Sequence, residues 1–425
     1  MNVNSSLEFA RRQDAEDPLA SYRERFHIPR HHGRDCIYFT GNSLGLQPKS
    51  VRAAIEQELN DWAELGVEGH FKGKNPWFSY HEQFAGPLSR IVGALPEEVV
   101  AMNGLTTNVH VLLTSFYRPT SERYHIIVEA KAFPSDQYAV ESQVRLHGLD
   151  PRKAIIEIAP KAGSASIDEK DILNTIEAYK DTLALVFIGG VNYYSGQVFD
   201  MEQITAAAHG AGAYAGFDLA HAAGNIRLRL HDWNVDFACW CSYKYLNSSP
   251  GGISGVFIHQ QHVTNRELPR MAGWWGYDKE TRFLMNPGFQ PIPTAEGWQL
   301  SNAPVLLMAA HKAALEVFDA AGMDALIEKS NRLTNYLFFL LDEINSAYPV
   351  PPIEIITPRE AGRHGCQVSM LMRERGREIF EQLTAAGVIA DWREPNVIRI
   401  APVPLYNKFE DIWHFANLLK TMLQQ

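Results

Sequence analysis

Cysteine is scarce in this chain: four in 425 residues, Cys36, Cys239, Cys241 and Cys366. None stands at the spacing of a metal site, and Cys239-Trp-Cys241 is one residue too tight for a CxxC motif. Metal ligation therefore has no support, and buried thiols in a reducing compartment are expected. Long apolar runs are missing too. No stretch is long enough to span a bilayer, and the N-terminal segment lacks the apolar core of a signal peptide. Arg11-Arg12 is followed by acids, against a twin-arginine or transit signal, so a cytoplasmic protein is expected. Positive charge is in deficit: 39 Lys+Arg against 49 Asp+Glu leave a net charge of −10, which argues against a nucleic acid or an anionic membrane as partner. Repeats and low-complexity segments are absent.

What the chain does have is the composition of a globular protein, 46% hydrophobic and 21% charged, with length for two domains. Its most informative stretch runs from Phe217-Asp-Leu-Ala-His221 to Ser242-Tyr-Lys-Tyr-Leu-Asn247. A small-residue strand, Ala213–Phe217, leads into Asp218, and a second apolar run, Val235–Trp240, leads into Ser242-Tyr243-Lys244. One acid and one lysine thus stand just past the carboxyl ends of successive strands, where open α/β sheets bind ligands. Pyridoxal phosphate (PLP) needs such a pair, a lysine to hold it covalently and a carboxylate for its pyridine nitrogen. Taken singly, they read as a surface lysine and a turn-capping acid. The neighbours Trp240, Tyr243 and Tyr245, and the turn-rich Asn247-Ser-Ser-Pro-Gly-Gly252, reverse that reading.

Around this centre, residues 1–50 read as a leading segment packed on the small domain, 51–303 as a large domain and 304–425 as a smaller α+β domain. Asp35–Thr40 is a short strand closed by the turn Gly41-Asn-Ser-Leu-Gly45. Ser50 caps a helix whose apolar positions are Ile55, Leu59 and Trp62. The segment from Gly66 to Trp77 is either a plain surface connection or an active-site lid. After the strand at Val99 and the turn at Gly104, Thr106 and Thr107 are either structural caps or phosphate holders at a helix N-terminus. Ala184–Gly189, a helix Met201–His209 capped by Asp200 with Gln203 as its capping-box partner, and Ala213–Phe217 form a right-handed βαβ unit. Ile253–Ile258 joins the same sheet. A long helical stretch from Leu306 breaks near Gly322, and helix, strand and helix follow at Ile379–Ala386, Asn396–Ala401 and Phe409–Met422.

Five stretches, in chain order, resemble the kynureninase family. They are Gly41-Asn-Ser-Leu-Gly-Leu-Gln47, Lys131-Ala-Phe-Pro-Ser-Asp136, Phe217-Asp-Leu-Ala-His-Ala222, Phe237-Ala-Cys-Trp-Cys-Ser-Tyr-Lys-Tyr-Leu-Asn247 and Ala401-Pro-Val-Pro-Leu-Tyr-Asn407. The resemblance runs from about residue 35 to the C-terminus. It implies the α/β fold of type I PLP-dependent transferases, with a mostly parallel seven-stranded sheet between helices and a smaller α+β C-terminal domain. It also implies a homodimer with shared sites that cleaves the Cβ–Cγ bond of 3-hydroxykynurenine or kynurenine by hydrolysis. The products would be 3-hydroxyanthranilate or anthranilate plus alanine, in tryptophan catabolism or NAD biosynthesis.

Carried over residue by residue, Lys244 matches the cofactor-holding lysine and Asp218 the acid facing the pyridine nitrogen. Pro134, Ser135 and Asp136 lie in the motif beside the ring, on which Phe133 stacks. Leu105, Thr106 and Tyr243 match positions around the phosphate, and His221 a cofactor-side histidine. Trp274 and Asn302 match contacts made across a dimer interface. Asn42, Ser43, His70, Asn302 and Arg399 match the substrate side, Arg399 as clamp for the α-carboxylate. Tyr243 is either a proton donor or a phosphate ligand only. His70 and Asn302 are the pair found in members that favour 3-hydroxykynurenine; many that favour kynurenine carry Trp and a small hydroxyl residue there. Gly189 departs from the family, which often has Ser. The alternative is another fold type I enzyme, an aminotransferase or a desulfurase. For a desulfurase's mobile-loop cysteine, Cys366 is the one candidate, and its surroundings read as the start of a strand.

Overall fold

The computed structural model describes residues 3–425. Its central sheet has seven strands: β1 (Val99–Ala101), β2 (His125–Glu129), β3 (Ile155–Ile158), β4 (Leu183–Gly189), β5 (Tyr214–Asp218), β6 (Phe237–Trp240) and β7 (Gly255–Ile258). Most are continuous apolar runs, as sheets covered on both faces require. Their spatial order is β1-β7-β6-β5-β4-β2-β3. The run from β3 to β6 is parallel, whereas β7 is antiparallel to both of its neighbours. The expected strand near Ile253 thus joins the sheet, but reversed.

Helices α1 (Leu105–Phe116), α2 (Pro134–Leu146) and α3 (Met201–Gly210) follow β1, β2 and β4. Asp200 caps α3 by accepting from the Gln203 N–H at 3.0 Å. The expected capping box is only half made. The Gln203 amide turns to the Asp200 carboxylate (2.6 Å), because the Asp200 N–H is already taken by Glu169 (2.8 Å).

A second correction concerns the helix Val51–Leu65. Its Leu59 and Trp62 are exposed, while Glu58 is buried. The cause lies in the following segment, where Asn75 Nδ2 and Trp77 Nε1 both donate to Glu58 at 2.8 Å. That segment folds into short helical turns, Gly66–Glu68, Gly69–Lys72 and Trp77–Phe84. Ser50 occupies the cap position without a side-chain hydrogen bond.

Helices α4 (Val305–Ala321) and α5 (Met323–Ser346) divide at Gly322, whose φ of +75° glycine adopts without steric cost. Beyond them a four-stranded antiparallel sheet forms from β8 (Ile353–Ile355), β9 (Val368–Met372), β10 (Asp391–Arg393) and β11 (Val397–Ile400), in the order β8-β9-β11-β10. It packs on α5 and on α6 (Phe409–Leu423) through Leu333, Leu337, Ile412 and Phe415. Phe9 and Phe39 of the leading segment lie in this same core, and Ile37–Tyr38 pairs in parallel with Val388–Ile389. Among the described residues no helix is long and apolar enough to cross a membrane.

Candidate active site

Asp218 is the last residue of β5, and its Oδ1 accepts from the Ala220 N–H at 2.7 Å. Lys244 follows β6, and its backbone is gripped from the other side of the cleft. The Gly45 N–H donates to the Tyr243 carbonyl at 2.8 Å. A Cβ on Gly45 would lie 2.3 Å from the Lys244 carbonyl oxygen, so the turn that starts at Gly41 has to end in glycine. At its other end, a Cβ on Gly41 would meet the Tyr406 hydroxyl at 2.4 Å. Three of the sequence motifs are thereby packed together.

A cavity of about 420 Å³ opens between these elements, with Thr106, Phe133, Asp136, Asp218, His221 and Lys244 in its wall. Asn42, Ser43, Leu105, Ser135 and Tyr243 line it as well. Pro134 is the first residue of α2, where its missing N–H costs nothing, so Ser135 and Asp136 stand in a helical first turn. Gly104 caps α1 with no side-chain bond, leaving the N–H groups of its first turn free toward the cavity.

The electrostatics are uneven. Lys244 Nζ lies 3.0 Å from His221 Nε2 and 5.8 Å from the centre of the Phe133 ring. Burial, then the charges of Lys244 and Arg399, holds His221 well below the usual histidine range, so it is neutral and accepts from Lys244. Burial raises the Asp218 carboxyl. It raises Asp136 further, and the neighbouring Asp218 adds to that shift. Tyr243 is also pushed up, by burial and by Cys241, so its phenol keeps its proton.

Other assigned residues lie elsewhere. Arg399, on β11, is buried, does not line the cavity, and donates to the Tyr193 carbonyl and to Asp391. His70 sits in the segment after Val51–Leu65, with Nδ1 3.0 Å from the Val67 carbonyl. Trp274 is half exposed, and Asn302 is exposed just before α4. None of these three lines the cavity of its own chain.

Three lining residues escaped the sequence reading: Glu129, Tyr193 and Arg393. Glu129 carried a signal, a charge at the carboxyl end of an apolar strand. Its Oε1 accepts from the Gly189 N–H at 3.2 Å, and a Cβ on Gly189 would fall 2.8 Å from that oxygen. The space beside Gly189 is therefore taken by a carboxylate. Tyr193 and Arg393 enter only through tertiary packing.

The residues present fit PLP. Glu129, Asp136 and Asp218 gather three carboxyls at one end of the cavity, with no salt-bridge partner among the described residues, which suits a protonated ring nitrogen. The open N-terminus of α1, with the Thr106 and Thr107 hydroxyls, suits a phosphate. Phe133, 43% exposed, offers a face for stacking, and Lys244 stands within reach of both ends.

Known proteins resemble this chain in sequence and in fold. Residues 326–419 match the model of the kynureninase C-terminal domain. A kynureninase of Flavobacterium psychrophilum is 55% identical over 99% of both chains. One from Christiangramia forsetii is 54% identical with the same coverage, and one from Myxococcus xanthus is 52% identical over 98% of this chain and 97% of its own. Among solved structures, the cysteine desulfurase CsdA from Escherichia coli superposes with a TM-score of 0.76 at 15% identity, covering 96% of this chain and 98% of its own. A C-DES variant with glycine covalently linked to its PLP cofactor gives 0.74 at 16%, covering 91% and 96%. At that identity the likeness shows the fold alone, which is PLP-dependent fold type I, as the sequence reading expected. The desulfurase alternative is not favoured. Cys366 is fully buried, and burial pushes its thiol up to about 12, far from a reactive thiolate.

Proposed function

The chain belongs to the kynureninase family and is a PLP-dependent hydrolase of carbon–carbon bonds; from this premise we propose that it prefers 3-hydroxykynurenine, accepts kynurenine, and works as a homodimer. The observation that carries the catalytic reading is the meeting of Lys244, the Asp136–Asp218 pair and the open N-terminus of α1 in one cavity. When bound, PLP supplies the electron sink that makes negative charge at the substrate's Cβ tolerable.

The chain's own groups do the rest. Asp218 would face the ring nitrogen of the bound cofactor and hold its proton. Lys244 takes the proton from the substrate's Cα, with neutral His221 at 3.0 Å orienting its Nζ. Water adds to the γ-carbonyl, the Cβ–Cγ bond breaks, and Tyr243, whose phenol stays protonated, gives a proton to Cβ. Arg399, matched to the family's α-carboxylate clamp, serves there once it releases Asp391 and the Tyr193 carbonyl, and Asn42 and Ser43 complete the substrate side of the wall.

Substrate preference is assigned to His70 and Asn302, polar groups able to pair a ring hydroxyl. Such pairing discriminates well, because an analogue without the hydroxyl leaves them unsatisfied. That Asn302 and Trp274 do not line the cavity of their own chain supports reading them as residues supplied by the second protomer. An exposed aromatic surface supports this arrangement: Phe71, Phe78, Phe283 and Trp274 form a chain of ring contacts at 5.4–5.8 Å beside His70. We read the chain as a leading segment 1–50, a cofactor domain 51–303 and a small domain 304–425, in a cytoplasmic enzyme of tryptophan catabolism or NAD biosynthesis.

The specificity test replaces His70 by Trp and Asn302 by Thr. The ratio of kcat/KM for 3-hydroxykynurenine over kynurenine is expected to fall by roughly 10-fold or more. An unmoved ratio would refute the assignment.

A further inference from the structure

The small-domain sheet presents one cation, Arg393, to the cavity and holds a second, Arg399, buried behind it. In the β10–β11 register Asp391 is directly opposite Arg399, and Arg393 stands two residues along from Asp391 on the same face. Asp391 Oδ2 accepts from both guanidiniums, from Arg393 Nη2 at 3.2 Å and from Arg399 Nη2. Arg399 also gives Nη1 to the Tyr193 carbonyl, so both of its terminal nitrogens are engaged within the protein. Both guanidiniums keep a buried Nε without a partner; Arg393 differs in that it lines the cavity and that nothing among the described residues accepts from its Nη1.

The cavity wall holds five charged side chains, Glu129, Asp136, Asp218, Lys244 and Arg393. The three carboxyls are spent on the ring-nitrogen end, and Lys244 on the cofactor and the Cα proton. Arg393 is the one cation left for an incoming anion. We propose that Arg393 is a second binding residue for the substrate's α-carboxylate, contacting it through its free Nη1 while Nη2 stays on Asp391. This rests on the reading of the cavity as the seat of an α-amino acid. Asp391 fixes the guanidinium through Nη2 and leaves Nη1 as a charge-assisted donor for a carboxylate, a bond roughly twice as strong as a neutral one.

The experiment compares wild-type, R393Q and R393K holoenzymes on kynurenine and on kynurenine α-carboxamide, and titrates each with L-alanine and L-alaninamide by calorimetry. For R393Q, kcat/KM on kynurenine is expected to drop roughly 10- to 100-fold, mostly through KM, with little change on the carboxamide. L-Alanine binding should weaken by a similar factor while L-alaninamide binding does not, and R393K should recover part of the loss. Equal losses on acid and amide, or unchanged L-alanine binding in R393Q, would overturn the proposal. Should R393Q fail to fold or to hold cofactor, the acid-to-amide ratio of R393K decides: a ratio equal to wild type rejects it. A wild-type protein that does not cleave kynurenine would instead overturn the functional reading beneath it.

Discussion

Two carboxyls in contact inside a cavity cannot both ionise without penalty, and the pair Asp136–Asp218 resolves this by sharing a proton. Asp136 is raised further, by burial and by Asp218, whereas hydrogen bonds from Asp136 and the Ala220 N–H favour charge on Asp218. The proton therefore rests on Asp136, and Asp218 is the charged member. Asp136→Asn keeps a donor toward Asp218 and should cost less than about 10-fold in kcat, whereas Asp218→Asn removes the charge itself and should cost about 10²- to 10⁴-fold. Steady-state rates at matched cofactor content measure both; equal losses would place the proton on the wrong residue. Asp218 and Lys244 were legible in the sequence because each ends an apolar run, a one-dimensional signal. Arg393 was not, because its meaning lies in being across a strand pair from Arg399 and across a cavity from Lys244.

The elements were legible where periodicity and burial agree, as in β4, α3 and β5. They were not legible where a buried polar group overrides the pattern. Glu58 turns the helix Val51–Leu65 inward by a face that looks polar, because donors from residues 75–80 arrive only after the chain has folded. Helix α4 carries another such group. His311 is fully buried, stacks on Phe84 at 5.4 Å, and neither ring nitrogen has a partner. Burial lowers its pKa to about 3. The unfolded chain binds a proton at this histidine once the pH drops below about 6.5, while the folded chain does so only near 3. The unfolded state then holds more protons, so stability is full above about 6.5 and is lost as pH falls through that window. Thermal melts of wild type and His311→Leu between pH 7.5 and 5 check this: Tm should fall with pH in wild type and fall less steeply in the variant. Parallel curves would remove His311 as a cause.

At the scale of the whole molecule, the fold type followed from the order of strands, helices and motifs, but the completeness of the site did not. One chain brings Lys244, Asp218, His221 and Tyr243 into a single cavity and leaves His70, Trp274 and Asn302 outside it. On the proposed reading a neighbour supplies Asn302 and Trp274 to this cavity, which mixed dimers can count. Take one variant with Lys244→Ala, inactive, and another with Asn302→Ala, lowered roughly 10-fold in kcat/KM on 3-hydroxykynurenine. If Asn302 serves the partner's site, a mixed dimer holds one site with both defects and one with neither. Equal amounts, unfolded and refolded together, form mixed dimers in about half of the population, so kcat/KM on 3-hydroxykynurenine should return to about a quarter of wild type. If Asn302 serves its own chain, every site in the mixture carries a defect and only about a twentieth of wild type is seen. Sedimentation of the same samples shows whether dimers formed, so recovered rate and oligomeric state together decide where Asn302 acts.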